Sequence, residues 1–370
     1  MKLEALSRHE LLACMQCGVC VGSCPLSTRS TLNVRRITAS LMTKSLEVGD
    51  ELWDCTTCYL CVYRCPRGTK PLDLIIELRS ERVEAGKIPP TLRDSLENTF
   101  KQGNPWGKSR VKRGEWASGL GIKRLLEHED SKILLFTCCA SAYDPRAQEA
   151  ARALVKVLKA AGVEPAFLGE DEVCCGNEVY NIGELGLFEE LMETNKANMG
   201  EGVETIITTS PHCYYAFKNR YLGLKAEVLH YTQFLARLLD EGLLKLKGLA
   251  DVVVTYHDPC YLGRRSGVYE EPRKLLKAIR GVKLVEMERS RSRSLCCEGG
   301  GGRMWFEGPP GRRLAEVRVV EASSTGASIL ATACPFCLAN LEDGVKTAGL
   351  EDKLRVMDVA ELLAQALPSS

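Results

Sequence analysis

With 370 residues the chain is long enough for two or three domains, and 45% hydrophobic content gives each a core to bury. Lysine and arginine (49) nearly balance aspartate and glutamate (48), so the clustered basic face of a nucleic-acid binder is not expected. No stretch approaches the roughly 18 uncharged apolar residues of a membrane span. The opening MKLEALSRHELLACMQC lacks the apolar core and small-residue cleavage site of a secretory signal, which points to a cytoplasmic, reducing setting. Cysteine is the outlier: there are 18, and every one belongs to a repeated pattern. In a reducing compartment such patterns mean metal or redox chemistry.

The first eight fall in two runs. CMQCGVCVGSCP supplies Cys14, Cys17, Cys20 and Cys24, and CTTCYLCVYRCP supplies Cys55, Cys58, Cys61 and Cys65. Both read C-x2-C-x2-C-x3-C-P, the bacterial ferredoxin spacing, in which the fourth cysteine of each run serves the other cluster. Cys14, Cys17, Cys20 and Cys65 are therefore assigned to one 4Fe–4S cluster. Cys55, Cys58, Cys61 and Cys24 are assigned to a second. Structural zinc, which takes thiolates in separated pairs, fits a doubled triplet poorly. LNVRRITASLMTKSLE, between the runs, has apolar residues near helical spacing. LDLIIELRSERVEAG, after them, reads as a helix stopped by Gly86. Residues 1–100 thus form a mostly helical ferredoxin domain, and the polar, glycine-rich residues 101–130 read as a solvated linker.

From residue 131 the pattern becomes strand–helix–strand. KILLFT, a helix over PRAQEAARALVKVLKAAG, EPAFLG, TIITTS and a helix near 213–222 make one copy. DVVVTYHDP, a helix at 271–280, VKLVEM, a helix near 311–322 and ASILATAC make a second. The fold class is α+β multidomain. The helical ferredoxin domain precedes two repeated α/β, Rossmann-like domains with parallel sheets, at 131–247 and 248–370. The cysteines repeat as well: Cys139 and Cys260 are 121 apart, Cys174–Cys175 and Cys296–Cys297 are 122 apart, and Cys213 and Cys337 are 124 apart. Most follow strands, the end at which parallel sheets collect ligands.

The second copy is complete, with Cys260, Cys296, Cys297, Cys334 and Cys337. Glu298 to Gly302, EGGGG, leaves room for backbone to approach inorganic sulfide. It lacks the lysine–serine of a Walker phosphate loop, so a nucleotide cradle is the weaker reading. The first copy has Cys139, Cys174, Cys175 and Cys213 as candidate metal ligands, with Ser210 where the second has Cys334. Cys138 is an extra thiol beside Cys139 that could substitute for the missing one, giving this site four well-placed thiolates and a candidate fifth. An altered iron–sulfur cluster, a zinc site and an empty pocket all remain open there.

These motifs, with CTTCYLCVYRCPRG and YHDPCYLGR, resemble the CCG-domain iron–sulfur family, whose best-known member is heterodisulfide reductase. The resemblance covers nearly the whole chain. It implies that Cys260, Cys296, Cys297, Cys334 and Cys337 hold a noncubane 4Fe–4S cluster at which a disulfide is reduced. It further implies a thiol or disulfide substrate, and a membrane cytochrome b-type or other redox partner that brings the chain to the membrane surface. Relatives in glycolate and lactate oxidases imply the rival: an electron-transfer subunit without a substrate, linking a flavin dehydrogenase to quinone. No GxGxxG follows a strand, so a flavin would belong to a partner.

Catalytic candidates are Cys260, Cys297 and His257. His257 precedes Cys260 by three residues and could supply a proton or hydrogen-bond a ligand sulfur; capping the turn after the strand is the plainer alternative. His212 reads as packing more readily than as a cleft residue. Arg264, Arg265 and Arg303 could pair with an anionic substrate or simply be solvated.

Overall fold

The computed structural model describes residues 9–43, 48–128 and 130–368. Among the described residues nine strands form two sheets, and every strand pair is parallel. The first sheet contains β1 (Lys123–Arg124), β2 (Ile133–Phe136), β3 (Ala166–Phe167), β4 (Thr205–Thr208) and β5 (Glu227–His230), in the order β1-β3-β2-β4-β5. The second contains β6 (Val252–Tyr256), β7 (Val282–Val285), β8 (Ile329–Thr332) and β9 (Arg355–Asp358), in the order β7-β6-β8-β9. The central strands are short runs of Ile, Leu, Val and Thr, as expected for strands covered on both faces. Leu134, Leu135, Ile206, Ile207, Val254 and Leu330 are fully enclosed.

Helices return the chain between parallel strands. Pro145–Ala160 starts with proline at its first turn, and Asp144 Oδ1 accepts from Ala147 N at 2.9 Å. It buries Ala151, Leu154, Val155 and Leu158. Pro211–Asn219 follows β4 and Pro335–Thr347 follows β8, so equivalent loops open at equivalent strand ends. Arg146 joins the repeats through Glu361 (2.8 Å) and Glu342.

The ferredoxin part contains the expected helices, Val34–Met42 and Pro71–Glu84, with Gly86 at φ +69° closing the second. Residues 44–47 of the first expectation lie outside the described residues. The expected solvated linker is not what residues 101–128 form. The Pro90–Gln102 helix runs into it, a 3-10 helix spans Arg110–Ala117, and β1 adds to the sheet edge. Arg113 and Trp116 are both 2% exposed. Polar and glycine-rich composition reads as loop, but two tryptophans anchor the segment: Trp116 packs on Phe167, and Trp106 on Trp305 and Phe336.

The second ferredoxin run is pressed into the seam between the repeats. Arg79, fully buried, donates to Leu52 O (2.7 Å), Cys55 O (2.8 Å), Asn181 O (2.9 Å) and Gly301 O (3.2 Å). The glycine run is explained here. A Cβ at Gly301, where φ is +70°, would meet Cys55 O at 2.3 Å, and one at Gly300 would meet Thr56 O at 2.7 Å. The run therefore lets the ferredoxin loop dock, which differs from the expected approach of backbone to sulfide. At Gly299 alone is a sulfur near, Cys297 Sγ, 3.5 Å from an added Cβ.

Gly301→Ala is expected to lose about 1–3 kcal/mol from the forced contact, plus about 1 kcal/mol for the left-handed backbone. Gly326→Ala, at φ +76° with open space around it, should show only the backbone loss. Urea unfolding of anaerobically prepared protein checks this; equal losses would mean that the seam is not tight at Gly301.

Candidate functional site

None of the 18 cysteines is in a disulfide. Cys14, Cys17, Cys20 and Cys65 line one pocket, with Arg35 and Pro66 at its wall. Cys24 lies instead against Cys55 and Cys58, and Cys61 faces Cys55, Cys58 and Cys24. The fourth cysteine of each run therefore lies beside the other run's triplet. The short helices Val19–Ser23 and Leu60–Tyr63 carry each chain from its triplet towards the other's. Cys17 is exposed and Cys58 is buried, while the other three cysteines of each set are intermediate.

In the second repeat the five thiols form a chain of sulfur contacts. Cys260 meets Cys296, Cys296 meets Cys297, Cys297 meets Cys337 with sulfurs 3.2 Å apart, and Cys337 meets Cys334. Exposure runs from 1% at Cys334 to 7% at Cys260. Cys296 also hydrogen-bonds Cys58 of the ferredoxin part, and that contact holds the Cys58 thiol down to about 5. Leu26, Leu295, Tyr261 and Leu314 close around the pair.

His257 and the sulfurs of Cys297 and Cys337 lie within 4.8 Å of one another. Arg318 Nε donates to His257 Nδ1 at 3.1 Å, so the ring proton sits on Nε2, and the ring hydrogen-bonds Cys297. Burial holds this imidazole below its usual range, in the neutral form. Asp258 takes both Nη atoms of Arg273, at 2.6 and 2.9 Å, and its Oδ2 accepts from Arg291 N at 2.7 Å.

His212 does more than pack. Its Nδ1 faces Glu178 Oε1 at 2.9 Å, its ring stacks on Tyr261 with centroids 4.0 Å apart, and it hydrogen-bonds Cys334 of the other repeat. Burial opposes its charge, but Cys334 and Glu178 outweigh it and hold the imidazole well above its usual range. Burial likewise opposes the Glu178 carboxylate, yet His212 and the Gly302 N–H hold it down to about 2. Glu178 carries no sequence signal apart from standing three residues after Cys175.

Arg264 and Arg265 are not available to an anion. Arg264 donates to Cys58 O (2.9 Å) and Ser294 O (2.5 Å), and Arg265 donates to Thr57 O (3.1 Å). Arg303 bonds Glu298 at 3.0 Å but keeps Nε and Nη1 unpaired beside a surface groove.

In the first repeat Cys138, Cys139, Cys174, Cys175 and Cys213 all line one pocket. Ser210, His212 and Glu178 share its wall, and Trp106, Trp305 and Phe336 close it with aromatic surface. Arg113, which sequence reasoning placed in the linker, lies with Nη2 3.4 Å from Cys139 Sγ. The same atom donates to Glu172 Oε1 at 2.6 Å, and Glu172 Oε2 accepts from Thr137 N at 2.8 Å.

These donor sets suit iron–sulfur clusters. Burial and neighbouring thiols push Cys61, Cys139, Cys213 and Cys337 well above the usual thiol range, so each set cannot ionise together without a cation among them. Soft thiolate sets of this kind select iron–sulfur or zinc centres.

Comparison with known proteins gives the same division of the chain. A cysteine-rich domain matches residues 133–218 and 254–342, and a 4Fe–4S dicluster domain matches 10–69. The chain is 39% identical to the probable iron-sulfur-binding oxidoreductase FadF of Bacillus subtilis over 80% of its own length and 44% of that protein's. It is 37% identical to the EtfAB:quinone oxidoreductase of Syntrophomonas wolfei, over 86% of its length and 47% of that protein's. It spans about half the length of both. A third relative is a subunit of the dihydromethanophenazine:CoB--CoM heterodisulfide reductase of Methanosarcina barkeri, with 33% identity across 99% of this chain and 96% of the relative.

Arg113→Met should destabilise the protein by about 3–5 kcal/mol, since it strands a buried Glu172. Adding Glu172→Gln should recover part of that loss. Chemical denaturation of the single and double variants measures the coupling; simple additivity would show that the pair does not act as a unit.

Proposed function

The chain belongs to the cysteine-rich-domain family of iron–sulfur oxidoreductases that includes this heterodisulfide reductase relative, and from that premise we propose that it reduces a disulfide at the second repeat. The observation that carries this reading is the sulfur contact between Cys58 and Cys296, which joins the ferredoxin part to the five-thiol set. In this reading Cys14, Cys17, Cys20 and Cys65 hold the outer 4Fe–4S cluster, and Cys55, Cys58, Cys61 and Cys24 the inner one. Cys260, Cys296, Cys297, Cys334 and Cys337 hold a noncubane 4Fe–4S cluster. When bound, the clusters supply one-electron steps, and cleaving RS–SR′ to two thiols consumes two electrons and two protons.

The chain's own residues arrange the rest. His257 presents Nε2–H beside Cys297, where it hydrogen-bonds a sulfur or yields a proton. His212, held by Glu178, keeps a second proton beside Cys334. Trp106, Trp305 and Phe336 keep water from the adjoining pocket. Electrons enter at the outer pocket, where Cys17 is exposed, from a cytochrome b-type or other redox subunit. Among the described residues no helix is long and apolar enough to cross a membrane. In this reading that partner brings the chain to the cytoplasmic face of the membrane.

The second reading, an electron relay between a flavoprotein and quinone with no substrate of its own, is favoured by the likeness to the relative named EtfAB:quinone oxidoreductase. It needs the same wiring and dispenses with the thiol chemistry.

Electron paramagnetic resonance of the oxidised, anaerobically purified protein separates the two. A new signal on adding a thiol such as coenzyme M is the expected outcome, and Cys297→Ala should abolish it while leaving the ferredoxin clusters reducible. No response to thiol, with ordinary cluster signals on reduction, would replace disulfide reduction with the relay. Loss of the signal in Cys175→Ala but not in Cys297→Ala would move the reaction to the first repeat.

A further inference from the structure

We propose that Cys138 is the fifth thiolate of the first repeat, and that this repeat holds a polynuclear iron–sulfur cluster like that of the second. The inference rests on reading the second repeat as a cluster centre. It deepens that reading by giving the chain a second such centre.

The two repeats arrange their sulfurs in the same way. In the second the contacts run Cys260, Cys296, Cys297, Cys337, Cys334. In the first they run Cys139, Cys174, Cys175, Cys213, Cys138. The first four positions of each chain are the equivalent cysteines of the repeat. The fifth is filled from a different place: by the residue after β8 in one copy, and by the residue before Cys139 in the other.

Ser210, which stands at the position of Cys334, is engaged otherwise. Its hydroxyl accepts from His212 N at 3.3 Å and caps the Pro211–Asn219 helix, whereas Cys334 makes no side-chain cap. The backbone at Cys138 shows what brings its thiol into the set. It adopts φ +66° and ψ 160°, a region almost reserved for glycine. Pro259 occupies the matching position in the second repeat, and its ring forbids that conformation. A strained cysteine retained where glycine would fit better, its thiol 5% exposed and against Cys213, is explained by a ligand role.

The number of thiols also distinguishes a cluster from one zinc ion. Zinc takes four ligands, whereas five cysteines, Cys138, Cys139, Cys174, Cys175 and Cys213, line the first-repeat pocket.

Metal counting on the full chain tests this without reference to turnover. In a Cys296→Ala/Cys297→Ala background, which removes the second centre, about twelve irons per chain are expected: about eight in the ferredoxin part and about four in the first repeat. Adding Cys138→Gly relaxes the backbone and removes only the thiol. Iron should then fall to about eight with folding retained by circular dichroism, and the Mössbauer component of the first centre should vanish. Adding Ser210→Cys to that variant should restore both. About eight irons in the background protein, or about one zinc per chain that survives Cys138→Gly, would overturn the proposal. Failure of the thiol response described above with twelve irons still present would overturn disulfide reduction and leave this centre standing.

Discussion

Three arginines hold one loop, and the architecture follows from it. Arg79, Arg264 and Arg265 donate to the carbonyls of Leu52, Cys55, Thr57 and Cys58. A cysteine loop that wraps a cluster spends its N–H groups on sulfur, and its carbonyls need partners of their own when buried. Arg79 comes from the ferredoxin part and the other two from the second repeat, so satisfying these carbonyls also joins the domains. Arg79 reaches Asn181 and Gly301 as well, bringing the first repeat and the glycine run to the same point. The three parts of the chain are therefore a single buried polar junction with cysteines arranged around it.

Much of this was legible in the sequence. Ferredoxin spacing pairs each fourth cysteine with the opposite triplet, and the fold places those same residues near one another. The 121- to 124-residue offsets disclosed the repeat, and the strand runs that carry its ligands lie where alternation put them. Strands β5 and β9 were missed because each is a short run leading directly into a helix at His230 and Asp358. The linker was misread because Arg113 looks solvated in a polar, glycine-rich segment, and only the fold brings Glu172 to it from 59 residues away. Glu178 and the cross-repeat reach of His212 carry no local pattern, since both depend on how the two domains face each other. Likewise the EGGGG run suggested room for an inorganic group, and its occupant is the backbone of another domain.

The repeats are alike in topology and unlike in surroundings. The second touches the ferredoxin part through Cys58 and has His257 beside its sulfurs. The first is held from outside by Arg113 and opens on a pocket whose aromatic wall comes partly from the other copy, through Trp305 and Phe336. Duplication thus produced a pair of sites that share a boundary while differing in the charge and the access each one sees.

Exposure falls in one direction along the sulfur sets, from an exposed Cys17 at the outer pocket to cysteines at 7% or less in the second repeat. Oxygen and peroxide diffusing in from solvent therefore meet the outer cysteines first, because attack on sulfur follows access. Oxidation of the outer set therefore precedes oxidation of the buried sets, whose cysteines are shielded by the packed core around them.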